Sequence, residues 1–246
     1  MEIAVIASGS NGNCCLVEDK GVRVLIDAGK SGREIEARMN RMGKSIEDVD
    51  GIVITHAHAD HVSGASILAR RYGIPLYMTP ETHREVLPRI GDVPVRKFAA
   101  NKSFKVRNLE IKPIATSHSI SSTGFVVGKF GLFTDTGIVT KQMEAALPKL
   151  KGVLLESNHD IDMVINGHYP AYLKQWVLSD IGHLSNIHAS SLIQAKGREL
   201  GLVLLGHLSG NNNTIDMARE TFETLVRKRI NCVICSRDKE TGCYDI

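Results

Sequence analysis

The sequence predicts a layered α/β protein built from two fused αβ halves. Short apolar runs of strand length alternate with stretches of helical periodicity along the whole chain, and the succession of strands followed by helices occurs twice. Histidines and aspartates recur immediately after the apolar runs, where strands of such a protein end. With 246 residues, 43% hydrophobic and 23% charged, the chain is long enough for one large core or two joined halves. One domain spanning residues 1–246 is expected.

Residues 2–7 read as a buried strand, ended by the small turn-forming run Ser8-Gly9-Ser10-Asn11-Gly12-Asn13. Residues 14–18 and 22–26 read as paired strands about Asp19-Lys20-Gly21, which makes an antiparallel meander. Ser31 followed by Glu34 predicts a capping box and a helix to about residue 42, with Ile35, Met39 and Met42 on one face. Residues 52–55 form a strand, 62–72 a helix, 75–78 a strand and 80–90 a helix started by Pro80. Strands return over 95–115. A hairpin over 125–127 and 131–133, a helix over 139–147 and a strand over 153–156 follow. A helical stretch over 169–178 precedes Gly182-His183-Leu184-Ser185-Asn186 and a helix to residue 198. Residues 202–205 form a buried strand, Asn213 or Thr214 caps a helix to about 227, and 231–234 is a last core strand.

Composition excludes some classes of function. A net charge of +3 permits contact with a polyanion without requiring it. The N-terminal apolar run is too short, and too close to Glu2, for a signal peptide, and no stretch approaches the length of a membrane span, so a cytoplasmic protein is expected. The five cysteines suggest no disulfide framework, and Cys232-Val-Ile-Cys235 lacks a second pair, so a packing role is expected for it.

The chemistry concentrates in His56-Ala-His58-Ala-Asp60-His61, directly after the strand at 52–55. Imidazole nitrogen and carboxylate oxygen are the donors that borderline divalent metals take, and residues two apart at a strand mouth point the same way. Asp27, His118, Asp135 and His207 also follow apolar runs. Residues at the same ends of adjacent strands converge, so this scattered set can form one centre.

The motif His56-x-His58-x-Asp60-His61 resembles the signature of the metallo-β-lactamase superfamily, and Asp27, His118, Asp135 and His207 match its remaining motifs in order. The resemblance implies a four-layer αβ/βα sandwich. It also implies two divalent metal ions, Zn²⁺ or Mn²⁺: one held by His56, His58 and His118, the other by Asp60, His61 and His207, with Asp135 shared and Asp27 orienting the loop. An aspartate at the shared position resembles the phosphodiesterase and glyoxalase-type members, which argues against a β-lactam substrate.

Finer features resemble the YycJ/WalJ (VicX-like) family of bacterial proteins, described as 5′-to-3′ DNA exonucleases: residues 8–14, the run Glu156-Ser-Asn158-His159-Asp160, the turn at 182–186, and His207-Leu-Ser209 with Asn212-Asn213. The implied reaction is attack on DNA phosphorus by a hydroxide bridging two metals, with Asp60 accepting the proton and His183 protonating the leaving oxygen or holding a terminal phosphate. Glu156, Asn158 and His159 are expected to support the ligands. Ser185, Asn186, Ser209 and Asn213, at expected helix starts, are candidates to hold phosphate, although plain N-caps need no ligand. The rival readings are a small-molecule metallo-hydrolase acting on a cyclic phosphodiester or thioester, and a signalling accessory without turnover.

Overall fold

The computed structural model of the protein describes residues 1–246. The chain divides into two compact units, Met1–Pro113 with Arg237–Asp245, and Ile114–Ser236 with Ile246.

In the first unit β1 (Glu2–Ala7), β2 (Cys14–Asp19) and β3 (Val22–Ile26) form the expected antiparallel meander, with Val5 opposite Cys15 and Leu16 opposite Leu25. Next come α1 (Gly32–Arg41), β4 (Gly51–Val53), α2 (Ala59–Val62), α3 (Ala65–Tyr72), β5 (Leu76–Met78), α4 (Pro80–Ile90) and β6 (Val95–Lys97). Strands β3 to β6 are parallel neighbours, and β4 is buried at every residue, as a parallel strand covered on both faces must be. Then β7 (Phe104–Val106) and β8 (Leu109–Ala115) form a hairpin, and the division between the units falls within β8.

Local chemistry sets the helix ends. Ser31 Oγ accepts from the Glu34 N–H at 3.2 Å, a cap worth about 1 kcal/mol. The Glu34 carboxylate turns instead to Arg38, 2.6 Å away, so only half of the expected capping box forms. The helix expected over 62–72 is broken into α2 and α3 at Ser63-Gly64, because the backbone of Gly64 packs on that of Lys30 and donates to the Ala28 carbonyl.

The second unit repeats the plan. Strands β9 (Thr123–Val127) and β10 (Phe130–Phe133) form a hairpin, followed by α5 (Lys141–Ala146), β11 (Gly152–Glu156), α6 (Ile161–Asn166), α7 (Ala171–Val177), α8 (Asn186–Lys196), β12 (Leu202–Gly206), α9 (Ile215–Leu225) and β13 (Asn231–Ile234). The sheet order is β13-β12-β11-β10-β9, with β10 to β13 parallel. Phe133, Leu155, Val203 and Leu205 pack on Met143, Ile193, Ala218 and Phe222 in one core. Helix α6 was not expected; Asp160, read only as a polar strand end, caps it by accepting from the Met163 N–H at 2.9 Å. Strand β13 is an edge strand with one fully buried residue rather than a core strand. The C-terminal β14 (Tyr244–Asp245) also lay outside the expectation: it pairs antiparallel with β1, which returns the chain to the first unit.

All five cysteines are free. Burial pushes the Cys232 thiol up to about 12 and raises that of Cys235 as well, so both pack as apolar groups.

In both units the candidate site residues follow parallel strands: Asp27 after β3 and Thr55 to His61 after β4, then Asp135 after β10, Glu156 at the end of β11 and His207 after β12. Asp27, Asp135 and His207 hold φ values of 63°, 55° and 57°. Side chains other than glycine, asparagine and aspartate rarely accept that left-handed backbone, and it concentrates at functional sites.

Candidate metal centre

The first unit supplies His56, His58, Asp60 and His61 from the loop after β4 and from α2. His56 and His61 are fully buried, with ring centroids 4.1 Å apart, and His56 Nε2 lies 2.9 Å from His58 Nδ1. His61 Nε2 lies 3.4 Å from Asp60 Oδ2. Asp27 sits beneath this loop: its Oδ2 is 2.7 Å from His61 Nδ1 and its Oδ1 accepts from the Thr55 N–H at 2.8 Å. Burial pushes the Asp27 carboxyl up, while His61 and Thr55 pull it back.

The second unit supplies His118, Asp135, Glu156, His183 and His207. The Nε2 atoms of His118 and His207 lie 3.8 and 3.6 Å from Asp135 Oδ1. Glu156, fully buried, receives two histidines on one oxygen: His183 Nδ1 and His207 Nδ1 are each 2.8 Å from Oε1. Its other oxygen accepts from the backbone N–H groups of Thr136 and Leu184, at 2.8 and 3.3 Å. Burial alone would raise this carboxyl, but the facing imidazoles hold it well below the usual range. Asp135, Glu156, His183 and His207 each offer one ligand atom within 4.8 Å of the others.

These donor sets suit a divalent metal. They contain imidazole nitrogen and carboxylate oxygen and no sulfur. His61, His118 and His207 each have Nδ1 held by an oxygen, of Asp27, the Gly182 carbonyl and Glu156 respectively, which directs the Nε2 lone pair outward as a metal ligand needs.

The residues expected to support the ligands fall into two groups. Glu156 and Asn158 contact His207, Glu156 through Oε1 on Nδ1 and Asn158 through Nδ2 donating to the carbonyl at 2.8 Å. The ring of His159 touches no ligand: it is buried with Nδ1 unbonded, and its backbone carbonyl receives the Asn186 N–H. Of the four candidates for phosphate, three have their polar atoms committed inside the second unit. Ser185 Oγ caps α8 by accepting from the His188 N–H, and Asn186 and Asn213 exchange reciprocal amide hydrogen bonds at 3.0 and 2.9 Å. Ser209, half-buried, accepts only from the Asn211 and Asn212 N–H groups of its own turn.

Sequence reasoning missed two residues. Thr55, counted as the last strand residue, places Oγ1 within 3.2 Å of Asp27 Oδ1 and Oδ2, His56 Nδ1 and His61 Nδ1. Asn13, counted as part of a turn, lies 3.1 Å from His61 Nε2 and 3.3 Å from Asp60 Oδ2 through Nδ2, and its backbone N–H donates to the Asp60 carbonyl. A threonine or asparagine is common where each of these stands, so neither carried a signal. Gly29 is required for this close packing: a Cβ there would lie 1.6 Å from the Asp60 carbonyl oxygen.

Comparison with known proteins agrees with this geometry. The family model of the metallo-beta-lactamase superfamily matches residues 7–168. Exodeoxyribonuclease WalJ of Streptococcus pneumoniae serotype 2 is 34% identical over 230 residues, which cover 89% of this chain and 86% of that protein. Exodeoxyribonuclease YycJ of Bacillus anthracis is 32% identical over 238 residues, covering 93% and 90%. Among solved structures, Zn²⁺-bound PqqB from Methylobacterium extorquens superposes with a TM-score of 0.78 over 100% of both chains at 15% identity, a likeness of fold. Two mixed sheets with their helices, ligand motifs after parallel strands, and these matches over most of its length make the chain a member of the metallo-β-lactamase superfamily, in the family that includes WalJ and YycJ.

Proposed function

We propose that the protein is a metal-dependent exonuclease that hydrolyses phosphodiester bonds of DNA from the 5′ end. The observation that carries this reading is the fixed orientation of His61, His118 and His207, each held through Nδ1 by a neighbouring oxygen. The family likeness to two exodeoxyribonucleases supplies the substrate class. His56, His58 and His118 are assigned to one divalent ion, and Asp60, His61 and His207 to a second, with Asp135 common to both. Two such ions, Zn²⁺ or Mn²⁺, would supply a water acidified to near neutral pH and positive charge to balance the phosphate.

The chain's own groups do the rest. Asp60 has a more exposed side chain than Asp27 or His61, at 23%, and it is assigned to accept the proton of the attacking water. His183, with Nδ1 on Glu156 and its ring against Trp176 at 5.2 Å, presents Nε2 to protonate the leaving oxygen or hold a terminal phosphate. Ser209 is the remaining candidate for phosphate, while Ser185, Asn186 and Asn213 shape the turns. The chain is taken to work as one domain over residues 1–246, because residues 237–245 rejoin the first unit after the second is complete. No helix is long and apolar enough to cross a membrane, and action on DNA in the cytoplasm fits this reading.

The test is nucleotide release from 5′-phosphorylated duplex DNA with Zn²⁺ or Mn²⁺, in the parent, Asp60→Ala and His183→Ala proteins. Loss of activity in both variants is expected. Full activity in Asp60→Ala overturns the mechanism.

A further inference from the structure

The basic side chains of the first unit are distributed unevenly, and the pattern points to a path for the substrate. On α1 and the strands beside it most are neutralised, Arg33 excepted: Arg23 pairs with Glu18 and Asp48, Arg38 with Glu34, Arg41 with Glu240, and Lys44 with Glu2 and Glu18. Residues 84–107 differ. They contain seven basic residues against two acidic ones, Glu85 and Asp92, and all seven basic side chains are exposed. Arg107 pairs with Asp50 and Arg84 with Glu81, and Lys105 stands directly opposite Glu110 across the β7–β8 hairpin, whereas Arg89, Lys97 and Lys102 face no carboxylate.

This strip adjoins the histidine loop. Arg89 Nη2 donates at 2.6 Å to the carbonyl of Ala57, the residue between His56 and His58. Its Nε and Nη1 remain available to a ligand. Lys97 ends β6, in register with Met78 on β5, so it lies at the same end of the parallel sheet from which the loop leaves β4. Phe98, directly after β6, stacks on Phe104 of β7 at 4.2 Å between ring centroids, so the loop that carries Lys102 is closed against this edge. Lysines on an edge strand also discourage edge-to-edge pairing of sheets. That role does not extend to Arg89 on α4 or to Lys102 in the loop after β6.

We infer that Arg89, Lys97 and Lys102 form the track for the sugar-phosphate backbone of a DNA strand leading to the histidine loop. This rests on the proposed DNA substrate and names the surface that would hold it. Unpaired cations in a row suit a polyanion, which they bind by releasing its counterions without reading base sequence. A small phosphodiester needs no such row.

The experiment compares the parent with a Lys97→Ala/Lys102→Ala protein, both exposed positions that leave the ligand loop intact. Two measurements are made: Kd for a 5′-phosphorylated single-stranded phosphorothioate oligonucleotide as salt is varied, and turnover of bis(p-nitrophenyl) phosphate. The expected result is affinity weakened on the order of 10-fold near 0.1 M salt, and a salt slope shallower by about 1. Turnover of the small ester should not change. A parent that degrades DNA, paired with a variant of equal affinity and slope, overturns the track while leaving the proposed function standing. A parent that turns over the small ester but neither binds nor degrades DNA overturns both.

Discussion

Glu156 and His207 are joined by a 2.8 Å contact between Oε1 and Nδ1, with both side chains almost fully buried. The same oxygen holds His183, so one carboxylate orients a proposed ligand and the proposed acid together. In Glu156→Gln, an amide that turns its oxygen toward the Thr136 and Leu184 N–H groups must turn its NH₂ toward two imidazole N–H groups. Metal affinity is therefore expected to fall about 10- to 100-fold, with turnover falling too. Metal titration by calorimetry checks this, and an unchanged circular dichroism spectrum separates it from misfolding.

Thr55 is the hydroxyl that links Asp27 to His56 and His61. Thr55→Val keeps the shape and leaves Asp27 short of a donor inside the protein, at an expected cost of about 1–3 kcal/mol. Thr55→Ser should restore most of it. Thermal unfolding of the two variants decides the point, and equal Tm values would contradict it.

Gly29 and Gly73 test packing against backbone strain. A methyl group at Gly29 meets the Asp60 carbonyl, whereas at Gly73 it meets nothing within 4 Å and faces only the cost of φ +68°. Gly29→Ala should destabilise by about 3 kcal/mol or more and weaken metal binding, and Gly73→Ala by about 1 kcal/mol with metal binding intact. Chemical denaturation together with a metal titration distinguishes the two.

Acid sensitivity should trace in part to His159. Burial lowers its pKa from 6.5 to about 4. Above pH 6.5 neither the folded nor the unfolded state holds the proton, so stability is complete. Between 6.5 and 4 only the unfolded chain takes it up, and stability declines by about 3 kcal/mol before levelling off below pH 4. His159→Gln should flatten that part of the Tm profile, while a profile parallel to the parent's would rule this origin out.

The strand-helix succession and the ligand candidates were legible in the chain itself. Period, apolar run length and Ser31 as a cap are local properties, and His56-x-His58-x-Asp60-His61 needs only four positions to declare a metal loop. Helix α6 and the break at Gly64 were not legible, because Asp160 serves equally as a cap or as a polar strand end, and Gly64 is needed only where the chain near Lys30 crosses it. Tertiary structure alone decided which polar groups are committed. It made Thr55 and Asn13 supports of the loop, set Glu156 between two histidines, and closed Asn186 on Asn213. It also brought unpaired cations from a helix, an edge strand and the loop after it to one edge. Hydrogen bonds and charge fields depend on distance in space, and sequence separation carries no record of that distance.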